Sequence, residues 1–412
     1  MKQYDVVIVG AGIIGLSIAW QISRRSSLTI AVLEKGAGLG EGSSGASVAI
    51  CRHRYSSDNL VAVARDGIDA YRHWQAFTGL AQPRARFNNE GVLWIPGDDD
   101  TWAPREQARL ARFDIRAEVL DAEELVARFP SFNPCTRMPD LVSGAEHECR
   151  GGGKQLLELD GGYMDPVLAA EDLREACLGA GVDVRLRSRV IAVDTRGGRV
   201  RGLTLDDGTV LETPLLVNAA GPWCRELYEA AGLDLAWDLV PTRIQVLYLD
   251  RPEELRGHIP VTADMSNGIY FRTQNRGQQL LVGSVLEEDE REEVADPDDF
   301  QREVDSDFEA LKLHLLHHRL PDLPYRGRVR GYCGLYTVNR QDVHPILGDT
   351  GLPGFWVANG FSGHGFKLAP AIGAMLARAI TGEARDFDTE VALATYAVDR
   401  TPIPADSLSV LA

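Results

Sequence analysis

The chain has 412 residues, 44% hydrophobic and 25% charged, the mixture of an ordinary globular protein, and at roughly 100–200 residues per domain it holds two or three domains. Lys and Arg number 43 against 60 Asp and Glu; the net charge of −17 repels phosphate backbones and anionic lipid, which argues against nucleic acid as a partner. No run approaches the ~20 apolar residues of a membrane span, and six scattered cysteines without a C-x-x-C pair read as reduced thiols of a cytoplasmic protein.

Residues 5–9 form a short apolar run, Gly10-Ala11-Gly12-Ile13-Ile14-Gly15 a glycine turn, 16–24 a stretch of helical period and 28–33 a second apolar run. This order predicts a βαβ unit and leaves no room for the uniform apolar segment of a signal peptide. Gly10 permits the tight turn, Gly12 lets backbone approach a pyrophosphate, and Gly15 lets helix pack on strand. The helix N-terminus then faces the phosphates with its positive end. Glu34 ends the second strand, where a carboxylate accepts hydrogen bonds from ribose hydroxyls and disfavours a 2′-phosphate, leaving NAD or FAD.

A helix is predicted over 166–180, with strands over 182–186, 190–194, 200–205 and 215–218 and a hairpin turn at Asp206-Asp207-Gly208. The segments 87–149 and 236–330 are less regular and read as a second domain built from insertions. The acidic stretches 287–293 and 296–299 read as a solvated loop leading into a helix over 300–318. His314 and His318 are spaced i, i+4 on that helix but lack a companion such as H-E-x-x-H, so no metal site is expected. No G-x-S-x-G elbow supports hydrolase chemistry.

Two later features favour FAD over NAD. The strand over 215–218 runs into Ala219-Ala220-Gly221-Pro222-Trp223, small residues that let backbone pass close to a cofactor. After the strand predicted over 355–358, the loop Asn359-Gly360-Phe361-Ser362-Gly363-His364-Gly365-Phe366-Lys367 precedes a helix with Pro370 near its start. A second helix N-terminus thus points at a glycine-lined site. Reduction places negative charge on a flavin, which such a dipole stabilises, whereas a nicotinamide has no such requirement.

These segments, with Gly42-Ser43-Ser44 through Arg52-His53-Arg54-Tyr55 and Gly334-Leu335-Tyr336-Thr337, resemble the D-amino-acid-oxidase-like superfamily of FAD enzymes, in its sarcosine oxidase and dimethylglycine dehydrogenase branch. The resemblance implies an α/β fold: a Rossmann-like FAD-binding domain of the glutathione-reductase type (1–86, 150–235, 331–400) carrying an inserted antiparallel-sheet, α+β substrate domain (87–149, 236–330), with a tail over 401–412. It implies cofactor contacts at Gly10, Gly12, Ile13, Ile14, Gly15, Glu34, Lys35, Ser43, Ser44, Val190, Ala219, Ala220, Gly221, Trp223, Gly334, Gly363, His364, Gly365, Phe366 and Lys367. Arg52 and Lys367 match the residues that hold a substrate carboxylate, and Tyr270, Tyr336 and His53 fall beside them.

There are departures. Gly334 stands where some sarcosine oxidases attach flavin through cysteine, with Cys333 one residue earlier, so FAD is expected to be held without a covalent bond. Leu281 replaces a lysine that assists oxygen reduction, and Gly45 and Ala49 replace a histidine and a basic residue. The implied reaction is oxidation of a secondary, tertiary or cyclic amino acid to an imine that hydrolyses, with oxygen or another electron acceptor as partner. A flavoenzyme for a hydroxy acid or a larger biosynthetic amine, and a flavin subunit of an electron-relay complex, stay open.

Overall fold

The computed structural model describes residues 2–141, 147–255, 257–324, 327–404 and 410–411. Val6–Val9 is apolar at every position because both faces of its sheet are covered. It lies between parallel neighbours Ile30–Leu33 and Leu216–Asn218. Asp183–Arg185 extends one side of this six-stranded sheet, and Phe355–Asn359 and Ile346–Asp349 extend the other. Alternation decides which side chain goes where. Val6, Ile8, Ile30 and Val32 pack with helices Ile13–Ser23, Asp58–Arg72, Pro166–Gly179 and Gly365–Thr381. Val7, Ala31 and Leu33 pack with a small sheet built on Val190–Asp194, Gly202–Leu205 and Val210–Glu212.

A second sheet of eight strands carries the other half of the molecule, in the order Val329–Asn339, Leu239–Asp250, Gln279–Ser284, Ile269–Gln274, Val261–Asp264, Val92–Ile95, Gln155–Glu158, Ala117–Leu120. Its pairings are antiparallel except that of Val261–Asp264 with Val92–Ile95. Phe271, Leu280 and Val282 face outward onto helix Ser306–Arg319 through Phe308, Leu315 and Leu316. Their neighbours Tyr270, Arg272, Leu281 and Gly283, paired across the two strands, project from the inner face.

The mixed α/β architecture expected from the sequence is present, with three differences of detail. The eight-stranded sheet takes in 155–158 and 329–339, segments the sequence reading grouped with the cofactor-binding part. Helix Asp58–Arg72 was not anticipated at all. The helix predicted from 300 starts at Ser306, because Gln301, Glu303 and Asp305 turn back to bind Arg243. Among the described residues no helix is long and apolar enough to cross a membrane.

The end of helix Ser306–Arg319 is fixed by a fully buried ion pair: Arg319 Nε and Nη2 reach Asp264 at 2.6 and 3.1 Å. Removing one partner strands the other charge in the interior, which costs about 3–5 kcal/mol. Asp264→Asn is therefore expected to lower the unfolding free energy by about that amount in urea titrations, with a proportionate fall in midpoint.

Candidate active site

At the C-terminal ends of Val6–Val9 and Leu216–Asn218 lies a cavity of about 570 Å³. Its floor depends on close backbone approach. Gly10 has φ +105°, and a Cβ there would lie 2.3 Å from the Ala219 carbonyl oxygen. Gly15 does not line the cavity; a Cβ on it would meet the Gly10 carbonyl at 1.9 Å, so it lets the helix start tightly against the strand. Glu34 closes one end, its carboxylate accepting hydrogen bonds from the amides of Ala11 (3.0 Å) and Gly36 (2.8 Å).

Gly12, Ile13 and Ile14 line the cavity at one helix N-terminus, and Gly363, Gly365 and Phe366 line it at another. Ser44 Oγ accepts from the Ile13 amide at 3.0 Å. The hydroxyl of Ser43, also on the cavity wall, is buried without a protein partner. Val190, Ala219, Ala220, Gly221 and Gly334 also line it. Two positive helix ends, a glycine cradle, a terminal carboxylate and an unsatisfied hydroxyl make a donor set that fits FAD.

The mouth holds a feature the sequence reading missed. Lys35 forms an ion pair with Asp298 and lies 3.8 Å from the centre of the Trp223 ring, whose Nε1 donates to Asp298 at 3.0 Å. Pro297, Asp298, Phe300 and Arg302 line the cavity. The acidic stretch 296–299 is largely exposed, as a solvated loop should be, and its Pro297 and Asp298 also line the cavity. Nothing local marks Asp298, whose partners lie far away in sequence.

The two cations, Arg52 and Lys367, line neither this cavity nor a small one beside it. Arg52 follows the short strand Ile50–Cys51, is 4% exposed, and lies 4.1 Å from the centre of the Tyr55 ring. It donates to the carbonyls of Arg54 and, at 2.5 Å, Val410. Lys367 sits in the first turn of helix Gly365–Thr381, its Nζ 3.5 Å from the Gly363 carbonyl. Burial, and then the charge of Arg52, push its ammonium down to about 7. Among the described residues neither cation has a carboxylate partner.

His364 belongs with this group and, like Lys367, does not line the large cavity. Its Nε2 lies 2.9 Å from the Val410 carbonyl, and burial, helped by Lys367 and Arg52, holds it neutral. Tyr336 lines the large cavity and also a small one with Tyr270, Val48 and Gly334. The Tyr270 hydroxyl is buried without a partner. Glu290, hidden in the acidic run 287–293, comes in beside these tyrosines. Its carboxylate accepts from the Val410 amide at 2.9 Å, and burial pushes it up to about 8.

His53 points elsewhere. Its Nδ1 lies 3.0 Å from buried Glu158, which also accepts from the amides of His53 and Arg54 and from Trp94 Nε1. It anchors the turn that presents Arg52 and does not line either cavity.

A family model described as FAD dependent oxidoreductase, DAO, matches residues 5–379. FAD-dependent oxidoreductase domain-containing protein 1 of Xenopus laevis is 26% identical, over 92% of this chain and 79% of that one. Mitochondrial dimethylglycine dehydrogenase of Rattus norvegicus is 24% identical, over 93% of this chain and 44% of its own length. The crystal structure of L-proline dehydrogenase from P. horikoshii superposes with a TM-score of 0.81 at 20% identity, covering 96% of this chain and 97% of that one. If the Asp298 bridge closes the mouth, Asp298→Ala is expected to speed flavin loss. The fraction of visible absorbance retained after repeated gel filtration measures this, and equal retention by both proteins would reject the bridge's role.

Proposed function

The chain belongs to the DAO family of FAD dependent oxidoreductases, and from that premise we propose that it oxidises a secondary, tertiary or cyclic amino acid whose carboxylate is held by Arg52 and Lys367. The observation that supports this is the pair of buried cations without a carboxylate of their own. An uncompensated charge in the interior is costly, and an anionic substrate supplies what is missing. The carbonyl of Val410 gives Arg52 one acceptor. A carboxylate in that place accepts two parallel bonds from the guanidinium and adds attraction to the ammonium.

FAD, when bound, supplies the hydride acceptor at its N5. The chain's own residues bind and orient. Arg52 and Lys367 fix the acid end of the substrate, Tyr270 and Tyr336 line the small void beside the cofactor cavity, and a neutral Glu290 keeps negative charge away from the carboxylate. A secondary amine, open or cyclic, loses a hydride from carbon and a proton from nitrogen to give an imine, whereas a tertiary amine, having no N–H, loses the hydride alone and gives an iminium ion. Water hydrolyses either to a carbonyl group and an amine, which stay in one molecule when a ring opens. The names of two similar proteins, a dehydrogenase of proline and one of dimethylglycine, point to the same class of amine.

Anaerobic titration of the flavin band with N-methyl, cyclic and D-amino acids, alongside matched hydroxy acids, tests the reading. Bleaching by an amine and not by its hydroxy counterpart is expected; the reverse pattern rejects it. Arg52→Ala is expected to raise KM for the carboxylated amine roughly 10- to 100-fold, the loss of a charged hydrogen bond, with flavin content unchanged. Loss of flavin and substrate binding together would remove Arg52 from its assigned place.

The pH dependence has a definite sign. Lys367 is charged below about 7 and neutral above, while Glu290 is neutral below about 8 and anionic above. Both changes weaken anion binding as pH rises. The dissociation constant of a non-reactive carboxylate, followed by flavin difference spectra, is expected to rise between pH 6 and 9 in steps near ~7 and ~8. In Lys367→Met binding is weaker throughout and the lower step is gone; a wild-type constant flat with pH would refute the assignment.

A further inference from the structure

We propose that Cys135, His147, Cys149 and His318 bind a structural zinc ion on the outer side of the eight-stranded sheet. The four side chains offer two sulfurs and two imidazole nitrogens, all within 4.8 Å of one another. Cys135 Sγ lies 3.1 Å from His147 Nε2, and Cys149 Sγ lies 3.8 Å from His318 Nε2. The two imidazoles meet edge to face with ring centres 4.9 Å apart. With Zn–S near 2.3 Å and Zn–N near 2.0–2.1 Å, the ligand atoms of a tetrahedron stand roughly 3.3–3.8 Å apart. Side-chain shifts of about an ångström close the observed set around one ion.

The backbone is built to hold this set from two distant parts of the chain. Cys135 pairs with Gly151 in an antiparallel bridge, and the Thr136 amide donates to the Arg150 carbonyl at 3.2 Å, which brings Cys149 alongside. Asn133 then joins both parts. Its amide N–H donates to the Arg319 carbonyl at 2.8 Å, and its Nδ2 donates to the His318 carbonyl at 3.0 Å and lies 3.4 Å from Cys149 Sγ. N–H groups directed at ligand sulfur are the usual support of a thiolate site. On the far side Asn267 Nδ2, which donates to Asp264 at 2.9 Å, lies 3.2 Å from His318 Nδ1; a ring ligating through Nε2 carries its proton on Nδ1 and would turn to the Asn267 Oδ1, which is buried without a partner.

The donor chemistry selects the ion. Two thiols and two imidazoles without a carboxylate suit zinc and are foreign to calcium or magnesium. Four protein ligands leave no open position, so the site is structural and not catalytic. It lies across the sheet from Tyr270 and Arg272. A zinc ion here would tie the segment ending the 87–149 insertion to helix Ser306–Arg319. The sequence pattern hid it, since His318 suggests a pair with His314, which is exposed and outside the set. Cys149 and His318 stand 169 residues apart.

Metal analysis of the purified flavoprotein, dialysed against metal-free buffer and then offered zinc sulfate and desalted, tests the proposal. One zinc per chain is expected in the wild type, none in Cys135→Ser/Cys149→Ser, and a sharply weakened affinity in His147→Gln, which keeps both thiols should the double variant fold poorly. A chelator is expected to lower the melting temperature of the wild type but not of His147→Gln. A wild type that takes up no zinc overturns the site, as does zinc retained undiminished by His147→Gln. So does a Cys135–Cys149 disulfide, seen as both thiols protected from alkylation until reduction.

Discussion

The crossing of two helices sets where every functional group lies. Helix Gly365–Thr381 meets helix Ile13–Ser23 at Gly373, where a Cβ would come within 2.7 Å of the Ser17 backbone carbonyl. That contact allows both N-termini to open onto one cavity. A third helix is locked to them by the same device: Gly67, in Asp58–Arg72, faces the Lys367 carbonyl, which a Cβ would approach to 2.3 Å. Four residues on, the Tyr71 hydroxyl donates to the Phe366 carbonyl at 2.7 Å, with the two rings stacked. Lys367 is thus placed by helix packing before its own side chain makes any contact.

The electrostatics of the interior run opposite to those of the whole. A chain of net charge −17 buries Arg52, Lys367 and Arg272 in one region, and among the described residues none of the three has a carboxylate within ion-pair distance. Glu290, which accepts from the amide of Val410 while Arg52 donates to the carbonyl of the same residue, is held protonated near neutral pH by its own burial. Two positive helix ends add to the same sign. Such a region favours anions. FAD brings phosphates, reduction adds negative charge to its ring, and the proposed substrate brings a carboxylate.

Local features of this design were legible and distant ones were not. The βαβ unit, its glycine turn and Glu34 follow from residues within thirty positions of one another, and the strands fall where the apolar runs put them. Helix Asp58–Arg72 was legible in principle: Leu60, Val61, Ala64, Ile68 and Tyr71 recur at helical spacing, with Ser57 ahead of them. Glu290 was not, since an acidic run reads as solvated until the fold shows what covers it, and neither was Asp298, exposed as expected but paired with Lys35 and Trp223 far away in sequence. His53 shows the limit of motif reading. It stands next to Arg52, yet in extended backbone successive side chains diverge, and it turns to Glu158.

Leu281 carries the same lesson further. It stands where the oxidases this chain resembles carry a lysine, and taken alone it removes a cation from the wall of the site. Register restores one. Leu281 pairs directly with Arg272 on the neighbouring strand, so both project from the inner face. The guanidinium is fixed by the carbonyls of Val48 and Thr273, at 2.8 Å each, and lies over Tyr163. Burial lowers its affinity for the proton, but a guanidinium starts far above working pH and stays charged, whereas Lys367 titrates near 7. The interior therefore holds one cation that is always present and one that pH can remove. On the proposed function, the permanent charge suits a cofactor whose reduction adds negative charge, and the titrating one suits a substrate that comes and goes.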